Sequence, residues 1–265
     1  MKESNSTNSV YINPLSLALL KVSSEKTNNP SADNGNNHNI SSAKYRHDRK
    51  KSNNGTADPI RDDNDIALAK EWLLNKPDRY NDNIRDYLLF VIGCNTARRI
   101  GDIIKFTFGT FMYDIGKFKD YFEIKEQKTG KSIKLIINQN IQDAITEYIR
   151  IKYPNNDYTL NTHLFLSRTQ TVNGIYDGNR HITRTQAWRM YNSMGEAIGL
   201  KDKGLRISCH TPRKTWVYKA LTTNKNDPYV LTTVSEMLNH SSTKITMAYA
   251  GITQEDRDKI MLQGI

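Results

Sequence analysis

Cys209-His210-Thr211-Pro212-Arg213, then Leu238-Asn239-His240, then Tyr249: how these three pieces are read decides the fold. Pro212 suits the first turn of a helix, where its missing N–H costs nothing. His210 and Arg213, three residues apart, then project from one face near that helix's N-terminus, and such a face suits an anion. Further on, Pro228 opens an apolar-periodic stretch of Val230, Leu231, Val234, Met237 and Leu238 that ends at His240. Ser241, Ser242 and Thr243 offer caps for a short helix carrying Tyr249. The expectation is one buried helix between two polar corners.

Working outward, Thr183 or Thr185 can cap a helix running through Ile198, stopped by Gly199. A Gly- and Asn-containing loop is expected at 173–179, and a short strand over His163 to Leu166. Ile141, Ile145, Tyr148, Ile149 and Tyr153 give a helix ended by Pro154. Tyr121 to Gln127 and Ser132 to Asn138 are rich in strand formers, with Thr129-Gly130 reading as the turn between them. Lys128 therefore belongs near a hairpin tip. Ile84, Tyr87, Leu88 and Val91 recur at helical spacing behind Asp82, and Asn95 and Thr96 break that pattern to leave Arg99 at a turn. The folded part is expected to start near Asp63, with Asp63 or Asp65 capping its first helix.

Residues 1–62 are crowded with Asn, Ser, Lys and Asp and are expected to be mostly disordered, with 63–265 forming the folded domain. They hold one apolar cluster, Val10 to Val22, and a basic run at 44–51 suited to lying on phosphates. The net charge of +10 over 265 residues and a pI near 9.4 point to a polyanionic partner. No stretch of about 18 apolar residues exists, so no membrane span is expected. Cys94 and Cys209 are too few for a disulfide framework or a zinc site, which fits the cytoplasm.

His210-x-x-Arg213, then Leu238-x-His240, then a Tyr nine residues on resembles the C-terminal half of the tyrosine recombinase (phage integrase) family of site-specific DNA recombinases. Upstream, Thr96 to Asp102 is similar to that family's first arginine box, with Arg99 at the catalytic position and Asp102 at the acidic position after it. Glu126-Gln127-Lys128-Thr129-Gly130-Lys131 is similar to the hairpin bearing its catalytic lysine. These boxes fall in the family's order over roughly residues 64 to 260, and the ordered set is far more specific than any one of them. The implied fold is α+β and mainly helical, with one small antiparallel sheet. Family members usually carry a helical core-binding domain in front, for which residues 1–62 look too short and polar.

The chemistry implied is cleavage of a phosphodiester without a metal or cofactor. It needs fixed positive donors on the non-bridging oxygens, a nucleophile, and an acid for the departing oxygen. Arg99 and Arg213 suit the first task because guanidinium stays charged and forks two donors onto a phosphate. Tyr249 is the implied nucleophile, the one among fourteen tyrosines with the family spacing from His240. His210 is the candidate general acid or base, and His240 the donor to a phosphate oxygen. Lys128 is the candidate acid for the 5′-oxygen, in competition with Lys125, Lys131 and Lys134, while Asp102 orients its neighbours.

Three departures from the family pattern stand out: Lys214 where many relatives have a second His, Pro212 for a common Leu, and Asn239 for a common Gly. By resemblance the partners are double-stranded DNA, three further copies of the chain in a homotetramer, and accessory DNA-bending proteins. Residues Gly251 to Ile265 would dock on a neighbouring protomer. Two rival readings are a DNA-binding regulator that no longer cuts and a topoisomerase of the IB kind.

Overall fold

The computed structural model describes residues 56–78, 82–169, 171–172, 175–176, 178–251 and 261–262. The expected helix or turn in the 10–22 cluster, the basic run at 44–51 and most of the expected docking tail fall outside these residues. In that tail, Met261 and Leu262 are exposed.

Helix α1 (Asp63–Asn75) is capped by Asp62, whose side chain accepts from Asn64 N at 2.8 Å, so the cap falls one residue earlier than the sequence suggests. Packing also begins earlier, since Ala57 and Ile60 are already buried. Helix α2 (Asp82–Thr96) is the centre of the molecule and packs against α1, α5 (Gln139–Lys152) and α7 (Thr211–Thr223). A single buried stripe is expected there, yet Leu89, Phe90 and Ile92 are as buried as Leu88 and Val91. Neighbours surround this helix, and a helix apolar all round belongs in a core.

Ala97, at φ 53°, turns the chain out of α2 and into α3 (Ile100–Ile103), with Arg99 as its N-cap residue. A capping box between Thr107 and Thr110 then starts α4 (Phe108–Phe111). Where one small sheet is expected, the described residues form three separate two-stranded antiparallel sheets. They are β1 (Met112–Asp114) with β2 (Lys117–Phe118), β3 (Tyr121–Lys125) with β4 (Ser132–Ile136), and β5 (Thr171–Val172) with β6 (Ile175–Tyr176). The last pair lies where a plain loop is expected. His163 to Leu166 makes only isolated bridges, Thr107 to His163 and Leu166 to His181, because its partners lie in two different segments.

Asn138 caps α5, its side chain accepting from Ile141 N at 3.1 Å, and Pro154 follows the end of that helix. A capping box of Thr183 and Gln186 starts α6 (Arg184–Ala197), and Gly199 at φ 70° lets the chain leave it. Helices α7, α8 (Val230–Met237) and α9 (Thr243–Ala250) close a second, smaller core of Ala97, Val217, Val234, Leu238 and Ala250, on which Tyr249 rests. Helix α8 is not the buried helix expected. Val234, Ser235 and the following Leu238 are buried, while Met237 is 41% exposed, because α8 lies on the surface with one face on α7 and α9. No helix among the described residues is long and apolar enough to cross a membrane.

Candidate active site

The site lies where the end of α2, the start of α7, the α8–α9 corner and the β3–β4 turn meet. Pro212 sits in the first turn of α7, as its fixed φ favours. Gly93 of α2 makes this approach possible, since a Cβ there would meet Pro212 Cβ at 2.8 Å. Thr211 and Ser208 close the helix start through Ser208 N to Thr211 Oγ1 at 3.0 Å and Thr211 N to Ser208 O at 2.9 Å. His210 makes no capping bond and remains exposed.

Arg213 is wholly buried, and two backbone carbonyls hold it: Nη1 donates to Ala97 O at 2.8 Å and Nη2 to Leu238 O at 3.2 Å. The left-handed turn at Ala97 is what brings the first carbonyl to Arg213. Burial and then the neighbouring charges of Arg99 and Arg98 push the Arg213 guanidinium down to about 10, against the opposing charge of Glu126.

Arg98 and Arg99 divide their work. Arg98 is buried, bonded to Thr96 O at 2.9 Å, to Met237 O at 3.0 Å and to Glu126 Oε1 at 3.1 Å. Arg99 keeps a fifth of its side chain open to solvent, and its Nη1 lies 2.8 Å from Glu126 Oε2. Arg213 Nη1 is 4.0 Å from the same carboxylate. Burial by itself raises the pKa of Glu126, but the Thr129 hydroxyl at 2.8 Å and the charges of Arg99 and Arg98 overcome it and hold the carboxyl below its ordinary value.

His240 follows Asn239, which sits at φ 54°. Its Nδ1 is 2.9 Å from Thr246 Oγ1, and its ring lies edge-on to Tyr249 with centroids 4.6 Å apart. A neutral ring that accepts from this hydroxyl at Nδ1 carries its proton on Nε2. Desolvation, then Arg213 and Arg99, lowers His240 to about 4, so it is neutral at physiological pH. Tyr249 lies 5.8 Å from the Arg213 guanidinium carbon and 5.3 Å from Lys214 Nζ, measured to its ring centre. Buried Arg213 Nε and His240 Nε2 engage no acceptor among the described residues.

The β3–β4 turn runs from Glu126 to Lys131, closed by Glu126 N to Lys131 O at 2.9 Å and Gly130 N to Glu126 O at 2.8 Å. Lys128 stands exposed at its tip and makes no hydrogen bond or ion pair among the described residues. Of the rival lysines, Lys131 donates to Asn239 Oδ1 at 2.6 Å and Lys134 lies 3.7 Å over the Tyr121 ring, while Lys125 is exposed on β3. The pKa of His210 is lowered first by partial desolvation of a side chain that still reaches solvent, then by the charges of Arg213, Lys214, Arg99 and Lys128. Asp102 Oδ1 accepts from Gln127 N at 3.2 Å. Six predicted residues thus surround one corner, and Asp102 supports the turn beside it.

Residues 69–256 match the phage integrase family, and over 198 residues the chain is 34% identical to the probable integrase/recombinase YoeC of Bacillus subtilis (strain 168). That alignment covers 74% of this chain and 91% of the relative. The chain belongs to the phage integrase family. Its fold is also similar to the XerH site-specific recombinase bound to palindromic difH substrate, with a TM-score of 0.55 at 14% identity over 77% of this chain and 52% of that one. The XerA recombinase gives 0.54 at 15% identity, over 78% and 66%. The chain therefore spans about half the length of the XerH protein it matches.

The departures from the family pattern have local explanations. Asn239 occupies a left-handed position that favours Gly, and Asn is among the residues that visit it most readily. Lys214 is buried and donates from Nζ to Ala57 O at 2.6 Å, which places a second cation beside Tyr249. Sequence reasoning missed Glu126 and the structural role of Arg98. The only local trace of Glu126 is its place three residues before Thr129 in a turn.

Proposed function

We propose that this chain cuts and rejoins double-stranded DNA at specific sites, with Tyr249 as nucleophile and a 3′-phosphotyrosine link as intermediate. The observation that carries this reading is the convergence of Arg213 and His240 on Tyr249, with Arg213 Nε and His240 Nε2 engaging no acceptor among the described residues. Membership of the phage integrase family supports the same chemistry.

In the proposed cleavage, Arg99, Arg213 and His240 Nε2–H donate to the non-bridging oxygens of one phosphodiester. The Tyr249 oxygen attacks phosphorus, and its proton passes to His210, a neutral base at physiological pH because its pKa lies below the ordinary 6.5. The P–O5′ bond breaks, and the departing oxygen takes a proton from the Lys128 ammonium to leave a free 5′-hydroxyl. Asp102 steadies the turn that carries Lys128. Attack by a 5′-hydroxyl on the phosphotyrosine reverses the sequence, so rejoining requires no cofactor. The assembly proposed is a homotetramer on two duplexes, with accessory DNA-bending proteins completing the grip, acting in the cytoplasm. XerH was captured on difH in a post-cleavage complex, and a lambda integrase dimer on a core site.

The test is a plasmid carrying two copies of the DNA flanking this chain's gene, incubated with the purified protein beside a plasmid lacking them. Exchange between the copies alone is the expected result. Relaxation of both plasmids would indicate a IB-like topoisomerase, and bound but unaltered DNA a regulator.

A further inference from the structure

The β3–β4 turn is tied to every other part of the site. Asp102 Oδ1 holds Gln127 N, Lys131 Nζ reaches Asn239 Oδ1 beside His240, and Glu126 joins the turn to all three arginines. Glu126 is the unusual member of this set. Its side chain is completely closed to solvent, and a buried carboxylate is retained only where partners compensate its desolvation. One oxygen, Oε1, takes Arg98; the other, Oε2, takes both Arg99 at 2.8 Å and the Thr129 hydroxyl at 2.8 Å. Thr129 is the residue next to Lys128. The same carboxylate oxygen therefore touches an arginine proposed to bind the phosphate and the residue adjoining the lysine proposed to protonate the leaving group.

We infer that Glu126 is a positioning residue that, through Thr129, fixes the Lys128 turn relative to Arg99 and Arg213, so that the leaving-group acid is aimed wherever the arginines hold the phosphate. Three observations favour this over simple charge balance. Arg98 alone would neutralise one carboxylate, yet Glu126 also engages Arg99 and Thr129. Glu126 is the closing residue of the turn, with both its N–H and its carbonyl bonded across it. Lys128 itself makes no bond among the described residues that would fix it, so its position is inherited from the turn. Arg99 meets Glu126 through the buried Nη1 alone, and a fifth of its side chain stays open to solvent for a substrate.

The inference rests on the proposed role of Lys128, and a substrate with sulfur in place of the bridging 5′-oxygen separates the two. Sulfur departs as a thiolate and needs no proton, so a variant that has lost only the acid recovers on it, whereas one that has lost phosphate binding does not. The probe is the duplex, from a tiled set spanning the gene's flanks, on which the native protein forms a covalent band, made with either oxygen or sulfur. On oxygen, Lys128→Ala should slow cleavage by ~10²-fold or more. Thr129→Val, which keeps the buried charges but removes the link to Glu126 together with the weaker bond from Lys131 N at 3.4 Å, should slow it by about tenfold or more, the worth of the hydrogen bond to a charged group. Both should return to within about threefold of the native rate on sulfur, with duplex affinity unchanged throughout. Glu126→Gln should recover only in part on sulfur, because it also loosens the arginines, and Arg99→Ala should not recover. Thr129→Val acting at the native rate on oxygen, or remaining as slow on sulfur, overturns the positioning role of Glu126. Lys128→Ala remaining slow on sulfur, or no band across the whole tiled set, overturns the reading beneath it.

Discussion

Asn239 and Ala97 each stand at positive φ, and each turns the backbone so that a neighbour enters the site: His240 in one case, the carbonyl that holds Arg213 in the other. A β-branched residue at such a position costs roughly 1–2 kcal/mol from the clash of its Cβ with the carbonyl oxygen. Asn239→Val should therefore lower stability by at least that much, and Asn239→Gly should leave it nearly unchanged, as read from urea unfolding midpoints. His240 gives a pH prediction. It ordinarily titrates at 6.5 and is lowered to about 4 in the fold. The unfolded chain then binds the proton first, so the stability owed to the neutral ring is present above pH 6.5 and is lost as pH falls toward 4. Midpoints measured between pH 7.5 and 4 should fall more steeply for the native protein than for His240→Gln, and parallel curves would assign the loss to other groups. At this scale the meeting of Arg213, His240 and Tyr249 at one corner was legible through the resemblance of their motifs to the family's boxes. Glu126 was not, since nothing local distinguishes a carboxylate on a solvated turn from one that three arginines enclose.

Helix ends followed local rules in part: Thr183 with Gln186, Pro212 in the first turn of α7 and Gly199 past the end of α6 sit where short-range chemistry puts them, while Asp62 caps α1 and Ser242 before α9 makes no capping bond. What the sequence hid at this level is how tightly elements meet. Gly93 lets α7 settle against α2, and Gly93→Ala, by forcing Pro212 away, should cost about 1–3 kcal/mol and slow cleavage by displacing Arg213. The segment before α1 is a second case. Ile60 N donates to Thr215 Oγ1 at 2.9 Å, Lys214 reaches Ala57 O, and Arg61 donates to Gly251 O at the end of the helix that carries Tyr249. Gly251, at φ 69°, has Arg61 and Pro59 directly beside it. Arg61→Ala should loosen that helix selectively: amides of residues 247–250 should exchange about tenfold faster or more, with those of α2 unchanged. Uniform acceleration across both helices would deny the segment a local role.

For the molecule as a whole, the order of the three boxes identified the α+β, mainly helical domain, and composition identified its polar front. Long-range assembly was beyond both. Among the described residues three separate hairpins replaced one sheet, and the central burial of α2 became visible only once α1, α5 and α7 surrounded it. The charge of +10 does predict a whole-molecule property. Duplex affinity should fall with salt at about 0.9 log units per phosphate contacted for each tenfold rise, and removing residues 44–51 should flatten that slope while cleavage survives. An unchanged slope would exclude the run from the DNA. The most direct test of the proposed chemistry is covalent trapping. Nicked duplexes tiled from the gene's flanks are incubated with native protein and with Tyr249→Phe, denatured in SDS, and resolved by mass. A protein–DNA band for the native chain, absent in the variant, with the DNA joined through its 3′-phosphate to the peptide bearing Tyr249, is the predicted result. A band that persists in Tyr249→Phe, or a link through a 5′-phosphate, would contradict it.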